Sequence, residues 1–212
     1  MSAVFIGSWT GAGLIVGAAL TVYARRFLTA TPSGLLMPGL AATLLTAGAF
    51  GGLAWRFGYQ FDLLPYGVLA AVGVALGIVD LIEQRLPSEL VYSGVVLVGA
   101  LLATSAVLHS RGPDLLRALA GMAILAVFYL VLALASGGGL GAGDVKLGGL
   151  LGLALGWLGW SALVTATFLG WFAAALAWLI LRVVRRRARG SLLPMGPFLV
   201  LGTLLAIVVL PA

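Results

Sequence analysis

Gly137-Gly138-Gly139-Leu140-Gly141-Ala142-Gly143-Asp144-Val145-Lys146-Leu147 decides how this chain is read. The stretch lies between two long apolar segments and sets an aspartate and a lysine behind five glycines. Glycine this dense permits close backbone approach and torsions that other residues avoid. A carboxylate at membrane depth is costly, so it marks a functional site by default. The best-placed partner acid is Asp80, in Gly77-Ile78-Val79-Asp80-Leu81.

Around that stretch, the 212 residues are 62% hydrophobic and 8% charged. A soluble domain carries about 25% charged residues. The composition specifies an all-α, polytopic membrane protein, read as a single integral membrane domain over 1–212, with the lipid bilayer as its first partner. Without cysteine, disulfides, thiol nucleophiles and Cys-built zinc sites are excluded. A single histidine, His109, argues against a His-built metal centre or a Ser-His-Asp triad. Acid chemistry must come from Asp62, Asp80, Glu83, Glu89, Asp114 and Asp144. No metal, cofactor or nucleic acid is expected. The net charge of +6 sits beside apolar segments, as a topology signal does.

A membrane-spanning helix needs about 20 apolar residues, and the chain offers about eight candidates. They run about Val4–Tyr23, Leu35–Trp55, Leu63–Leu81, Glu89–His109, Leu115–Ala135, Val145–Leu158, Ser161–Val184 and Met195–Leu210. Met1-Ser2-Ala3-Val4 has no basic signal-peptide start, so the first segment is expected to remain as a helix. With the N-terminus outside, nine basic residues face the cytoplasm: Arg25, Arg26, Arg85, Lys146, Arg182, Arg185, Arg186, Arg187 and Arg189. Arg56, Arg111 and Arg117 face the opposite side. This bias follows the positive-inside rule. It places Asp80 and Asp144, 64 residues apart in sequence, at the same cytoplasmic edge. In the sixth segment Gly148, Gly152 and Gly156 share one helix face, allowing close packing that would hold Asp144 at its amino end. Gly7, Gly11, Gly13 and Gly17 repeat that pattern more weakly in the first.

Two facing aspartates resist simultaneous ionisation and hold one proton between them. The ionised member can take a proton from a water attacking an amide carbonyl. The protonated member can donate to the oxyanion or the leaving nitrogen. This is amide hydrolysis by general acid and base, with neither metal nor covalent intermediate.

Gly141-Ala142-Gly143-Asp144-Val145-Lys146-Leu147 resembles the GxGDxKL signature of the type IV prepilin peptidases, membrane aspartic peptidases of the GxGD class. Asp80 followed by Arg85-Leu86-Pro87 resembles the family's first motif. Gly156-Trp157-Leu158-Gly159-Trp160 and Met195-Gly196-Pro197-Phe198-Leu199-Val200-Leu201-Gly202 are similar to later family segments. The four matches keep the family order and cover roughly Leu63–Leu210, the expected peptidase core. The resemblance implies that Asp80 and Asp144 are the catalytic pair. It further implies removal of the basic leader from pilin and pseudopilin precursors, after a glycine, at the cytoplasmic face of the bacterial inner membrane. Gly141 and Gly143 would leave room for an extended substrate. Two departures stand out. The family's cytoplasmic insertion with Cys-x-x-Cys zinc motifs and its N-methyltransferase activity have no counterpart in the short 24–34 loop or the cysteine-free composition. That pattern resembles short forms serving Tad/Flp-type systems. The usual (I/L)-Pro-Asp reads Leu86-Pro87-Ser88.

The remaining polar residues each admit a plainer reading. Asp144 could be only a helix cap and Asp80 only a helix-end charge. Lys146 either snorkels to the interface, or tunes the pair or binds substrate backbone. Glu83 and Glu89 are solvated charges or attract a basic leader. Arg182 to Arg189 anchor the chain against anionic lipid or contact a pilus-assembly component. Asp62 and Asp114 read as helix-start charges on the outer side, with Asn substitutions expected to be nearly silent. His109 reads as an ordinary interfacial residue. Trp157, Trp160, Trp171 and Trp178 read as belt or packing residues. The glycine run lacks the Gly-Lys-Ser/Thr of a phosphate loop. A proton-coupled transporter remains a rival, as does a catalytically silent assembly scaffold. Against the transporter, both aspartates lie near one face and no repeated halves are evident.

Overall fold

Apolar runs this long leave the backbone no water to bond, so each must satisfy its own amides as helix. The computed structural model describes residues 2–27, 36–137, 140–185 and 194–210, and among them there is no strand. Eight α-helices follow in order: α1 Ala3–Ala24, α2 Leu36–Phe57, α3 Leu63–Glu83, α4 Ser88–Leu108, α5 Gly112–Ala135, α6 Ala142–Leu158, α7 Trp160–Arg185 and α8 Gly196–Val209. A 3-10 turn, Arg25–Phe27, follows α1. Each expected segment falls on one helix. Residues 28–34 of the expected short cytoplasmic loop and the basic residues Arg186, Arg187 and Arg189 lie outside the described residues.

Six helices are long and apolar enough to cross a membrane, while α6, at 17 residues, and α8, at 14, fall short of the others. At 1.5 Å per residue they span about 25 Å and 21 Å, against a hydrocarbon core of about 30 Å. Helix α3 is the axis of the bundle. It packs against α1, α2, α4, α6 and α8, and its residues from Leu69 to Asp80 are almost all buried. A helix apolar on every side belongs at such a centre.

Small residues set how close the helices come. A Cβ on Gly121 of α5 would lie 2.5 Å from the Gly152 carbonyl, and one on Gly156 2.7 Å from the Arg117 carbonyl. Gly148 presses against the Tyr129 ring. The glycine face of α6 therefore seats against α5 with backbones in contact. On α1 only half of the expected stripe is used: Gly13 and Gly17 meet α2, whereas Gly7 and Gly11 have nothing against them among the described residues.

Opposite the aspartate end, a polar knot closes the bundle. Asp62 is 6% exposed. It accepts hydrogen bonds from Ser105 Oγ at 2.9 Å, Arg111 Nη1 at 2.7 Å and Trp157 Nε1 at 3.0 Å. Arg111 also pairs with Asp114 at 2.7 Å and lies over the Trp157 ring. This corrects the reading of Asp62 as a simple helix-start charge. It holds the N-cap position of α3, yet its side chain makes no cap bond. Its carboxylate instead ties α3 to α4, α6 and the start of α5. Trp157 is fully buried rather than a belt residue. Asp114 does lie in the first turn of α5, where negative charge is favoured.

Both short helices are finished by arginine at this far end. Arg117 donates to the Gly156 carbonyl at 2.8 Å and the Trp157 carbonyl at 2.7 Å, in the last turn of α6. Arg56 donates to the Ile207 carbonyl of α8 at 3.1 Å. Helix ends leave such carbonyls unpaired, and cations suit them.

Candidate active site

Asp80 lies in the last turn of α3, which stops at Glu83 with Gln84 in the left-handed region. Asp144 lies in the first turn of α6, which begins at Ala142, three residues before the expected start. The difference has a local cause. Asp144 Oδ2 accepts the Gly141 N–H at 3.1 Å, and the Gly141 carbonyl accepts the Asp144 N–H at 3.0 Å. That reciprocal closure winds the glycines into the helix, so Asp144 sits at the third helical position rather than at the cap.

Asp80 is 5% exposed, and its Oδ2 accepts the Gly196 N–H, the first residue of α8, at 2.9 Å. The two carboxyls share a neighbour, because the Leu86 side chain lies against both Gly143, beside Asp144, and Gly196, which bonds Asp80. Leu86, in the loop between α3 and α4, bridges the two helix starts. Its Cβ would lie 2.8 Å from a Cβ on Gly143, and its Cδ2 3.4 Å from one on Gly196. One end of the bundle thus gathers the end of α3 and the starts of α4, α6 and α8. Among the described residues, neither Asp80 nor Asp144 forms an ion pair.

The supporting residues are placed as follows. Gly141 caps α6 and bonds Asp144, while Gly143 lies under Leu86. Lys146 turns toward α4, donating to Ser88 Oγ at 2.7 Å with its ammonium 5.4 Å from the centre of the Tyr92 ring. It joins the starts of α4 and α6, a tie neither expected reading contained. Ser88 does not cap α4, whose cap position belongs to Pro87. Glu83 is only 12% exposed at its side chain and pairs with Arg85 at 3.4 Å. Glu89 is exposed in the first turn of α4. Sequence reasoning missed the Gly196 amide and the Leu86 bridge. Their signal was present in a glycine before a helix-starting proline and in an apolar residue within a polar loop.

The knot at the opposite end is electrostatically different. Burial opposes ionisation of Asp62, but hydrogen bonds from Trp157, Arg111 and Ser105, with the Arg111 charge, outweigh it and hold the carboxyl below its usual range. Arg111 is likewise buried against its charge, yet Asp114 and Asp62 hold it more firmly protonated.

The fold is that of a polytopic all-α membrane protein, with Asp80 and Asp144 at one end of the bundle. The chain belongs to the type IV leader peptidase family, whose model matches residues 67–183 and so takes in both aspartates. Similar proteins are the prepilin leader peptidase/N-methyltransferases of Pseudomonas putida, Pseudomonas aeruginosa and Bacillus subtilis. The first is 31% identical over 73% of this chain and 53% of its own length. The second is 29% identical over 77% and 56%, and the third 30% identical over 78% and 64%. The chain therefore spans about half the length of the Pseudomonas relatives. No solved structure matches it.

Proposed function

We propose that this chain is a membrane aspartic endopeptidase that removes the basic leader from type IV pilin-like precursors, Tad/Flp-type precursors among them, at the cytoplasmic face of the inner membrane. One observation carries the reading. Asp80 and Asp144 come together at one end of the bundle, buried or half-buried, and among the described residues neither has an ion-pair partner. Carboxylates kept for structure are paired, as Asp62 is. Carboxylates kept for proton transfer must remain able to give and take protons.

In the proposed reaction the ionised carboxylate of the pair takes a proton from water as the water oxygen attacks the scissile carbonyl carbon. The protonated partner gives its proton to the oxyanion, and the tetrahedral species collapses with a proton passing to the leaving nitrogen. The products are a free leader carboxyl and a new amino terminus. The Gly196 amide of α8 holds the Asp80 carboxylate, and the Gly141 amide at the start of α6 holds that of Asp144. Residues 63–210 form the peptidase core in this reading, and no N-methyl transfer is assigned to the chain. Glu83 and Glu89 flank the loop where a basic leader would arrive.

The test is co-expression with pilin precursors from the same genome, read by the gel shift that accompanies leader loss. Asp80→Asn and Asp144→Asn are each expected to lower cleavage by about 10⁴-fold or more, with normal insertion and folding. Substantial cleavage by either variant would falsify the mechanism. No cleavage by folded wild type across several precursors favours the transporter or scaffold, and proton flux in liposomes then separates those two.

A further inference from the structure

We infer that Gly196 is a positioning residue for Asp80: its backbone N–H and its missing side chain together fix where the carboxylate points. The inference rests on the peptidase reading above.

The hydrogen-bond accounting at the start of α8 singles out this amide. Pro197 has no N–H to give. The amides of Phe198 and Leu199 both donate to the Met195 carbonyl, each at 3.1 Å. The Gly196 N–H is turned the other way, into the buried Asp80 Oδ2. The bond crosses 116 residues of sequence and joins α8 directly to the last turn of α3.

The absent side chain matters as much as the donor. A Cβ on Gly196 would lie 2.8 Å from Asp80 Oδ2 and 3.3 Å from its Cγ. Both are inside ordinary van der Waals separation, so any side chain here drives the carboxylate off its line. The added atom has no free side to turn to, because it would also lie 3.4 Å from Leu86 Cδ2. Three residues earlier on α3 the contact is different. A Cβ on Gly77 would meet Pro197 at 3.6 Å, an ordinary contact. The same pair of helices therefore supplies its own control.

A carboxylate that activates water depends on its direction, and a small misplacement costs rate rather than binding. With purified enzyme and a prepilin substrate, Gly196→Ala should lower kcat by about 10²-fold and leave KM within about twofold. Gly77→Ala should match the wild type in both. A purely structural role would lower the amount of folded enzyme and leave kcat per folded molecule unchanged, which would overturn the inference. If Gly196→Ala fails to fold, Asp80→Ala/Gly196→Ala decides the matter. Restored folding supports a collision with the carboxylate, and continued failure overturns it. A wild type that cleaves nothing overturns both readings. A cleaving wild type beside an equally active Gly196→Ala overturns this one alone.

Discussion

The bundle keeps aspartates at both ends and treats them in opposite ways. At the far end Asp62 receives three side-chain donors, one of them a guanidinium, and Arg111 and Arg117 share Asp114 besides. At the near end, among the described residues, Asp80 and Asp144 each accept one backbone amide, and Lys146 is turned aside onto Ser88 and Tyr92. Burial is similar for Asp62 and Asp80. The difference is saturation. A saturated carboxylate stays ionised and serves as a joint, whereas an unsaturated one can still exchange protons. The same residue type in the same bundle is thus a clamp at one end and, in the function proposed above, a reactive group at the other.

That contrast predicts a crossed pattern. Dyad substitutions should remove cleavage and spare stability, as set out above, while substitutions in the far knot should do the reverse. Arg111→Met leaves Asp62 buried without its charge partner and should cost about 3–5 kcal/mol of stability, read by thermal unfolding in detergent. Surviving folded enzyme should cleave normally. If Arg111→Met loses turnover per folded molecule instead, the two ends are not independent. Asp62→Asn should follow at about 2 kcal/mol, the scale of hydrogen bonds to a charged group. The sequence alone suggests silence there, because nothing in it shows what Asp62 touches.

Acid should open the far end first. The folded carboxyl of Asp62 is held below its unfolded value, so its contribution is fully present above the unfolded value, about 3.9, and is lost as pH falls through the folded one. Wild type should therefore lose more stability than Asp62→Asn as pH drops below about 4. Parallel pH curves for the two proteins would remove Asp62 from the account. The smallest effect belongs to the tie between α4 and α6. Ser88→Ala and Lys146→Met should each reduce kcat by less than about tenfold, since one such bond contributes about 1 kcal/mol. A loss comparable with Asp144→Asn would move Lys146 into the reacting group.

Nearly all of the fold, and the shared end of Asp80 and Asp144, were legible in the residues. Segment lengths and basic flanks placed eight helices, and their even number of crossings between Asp80 and Asp144 predicted a shared end. Gly148, Gly152 and Gly156 announced a packed face, although not that α5 would fill it. The far knot escaped because Asp62, Ser105, Arg111 and Trp157 are scattered over 95 residues and carry no local pattern. Gly196 escaped for a related reason: a backbone donor has no letter of its own. Side-chain chemistry is written in sequence, whereas the direction of an amide is set only when helices dock.

Helices α6 and α8 are both shorter than the layer they occupy, and their far ends are pinned by Arg117 and Arg56. Both begin at the end that holds Asp80 and Asp144. In the peptidase proposed above, a wall of two short helices leaves water less distance to travel to the aspartates than a wall of full-length spans would.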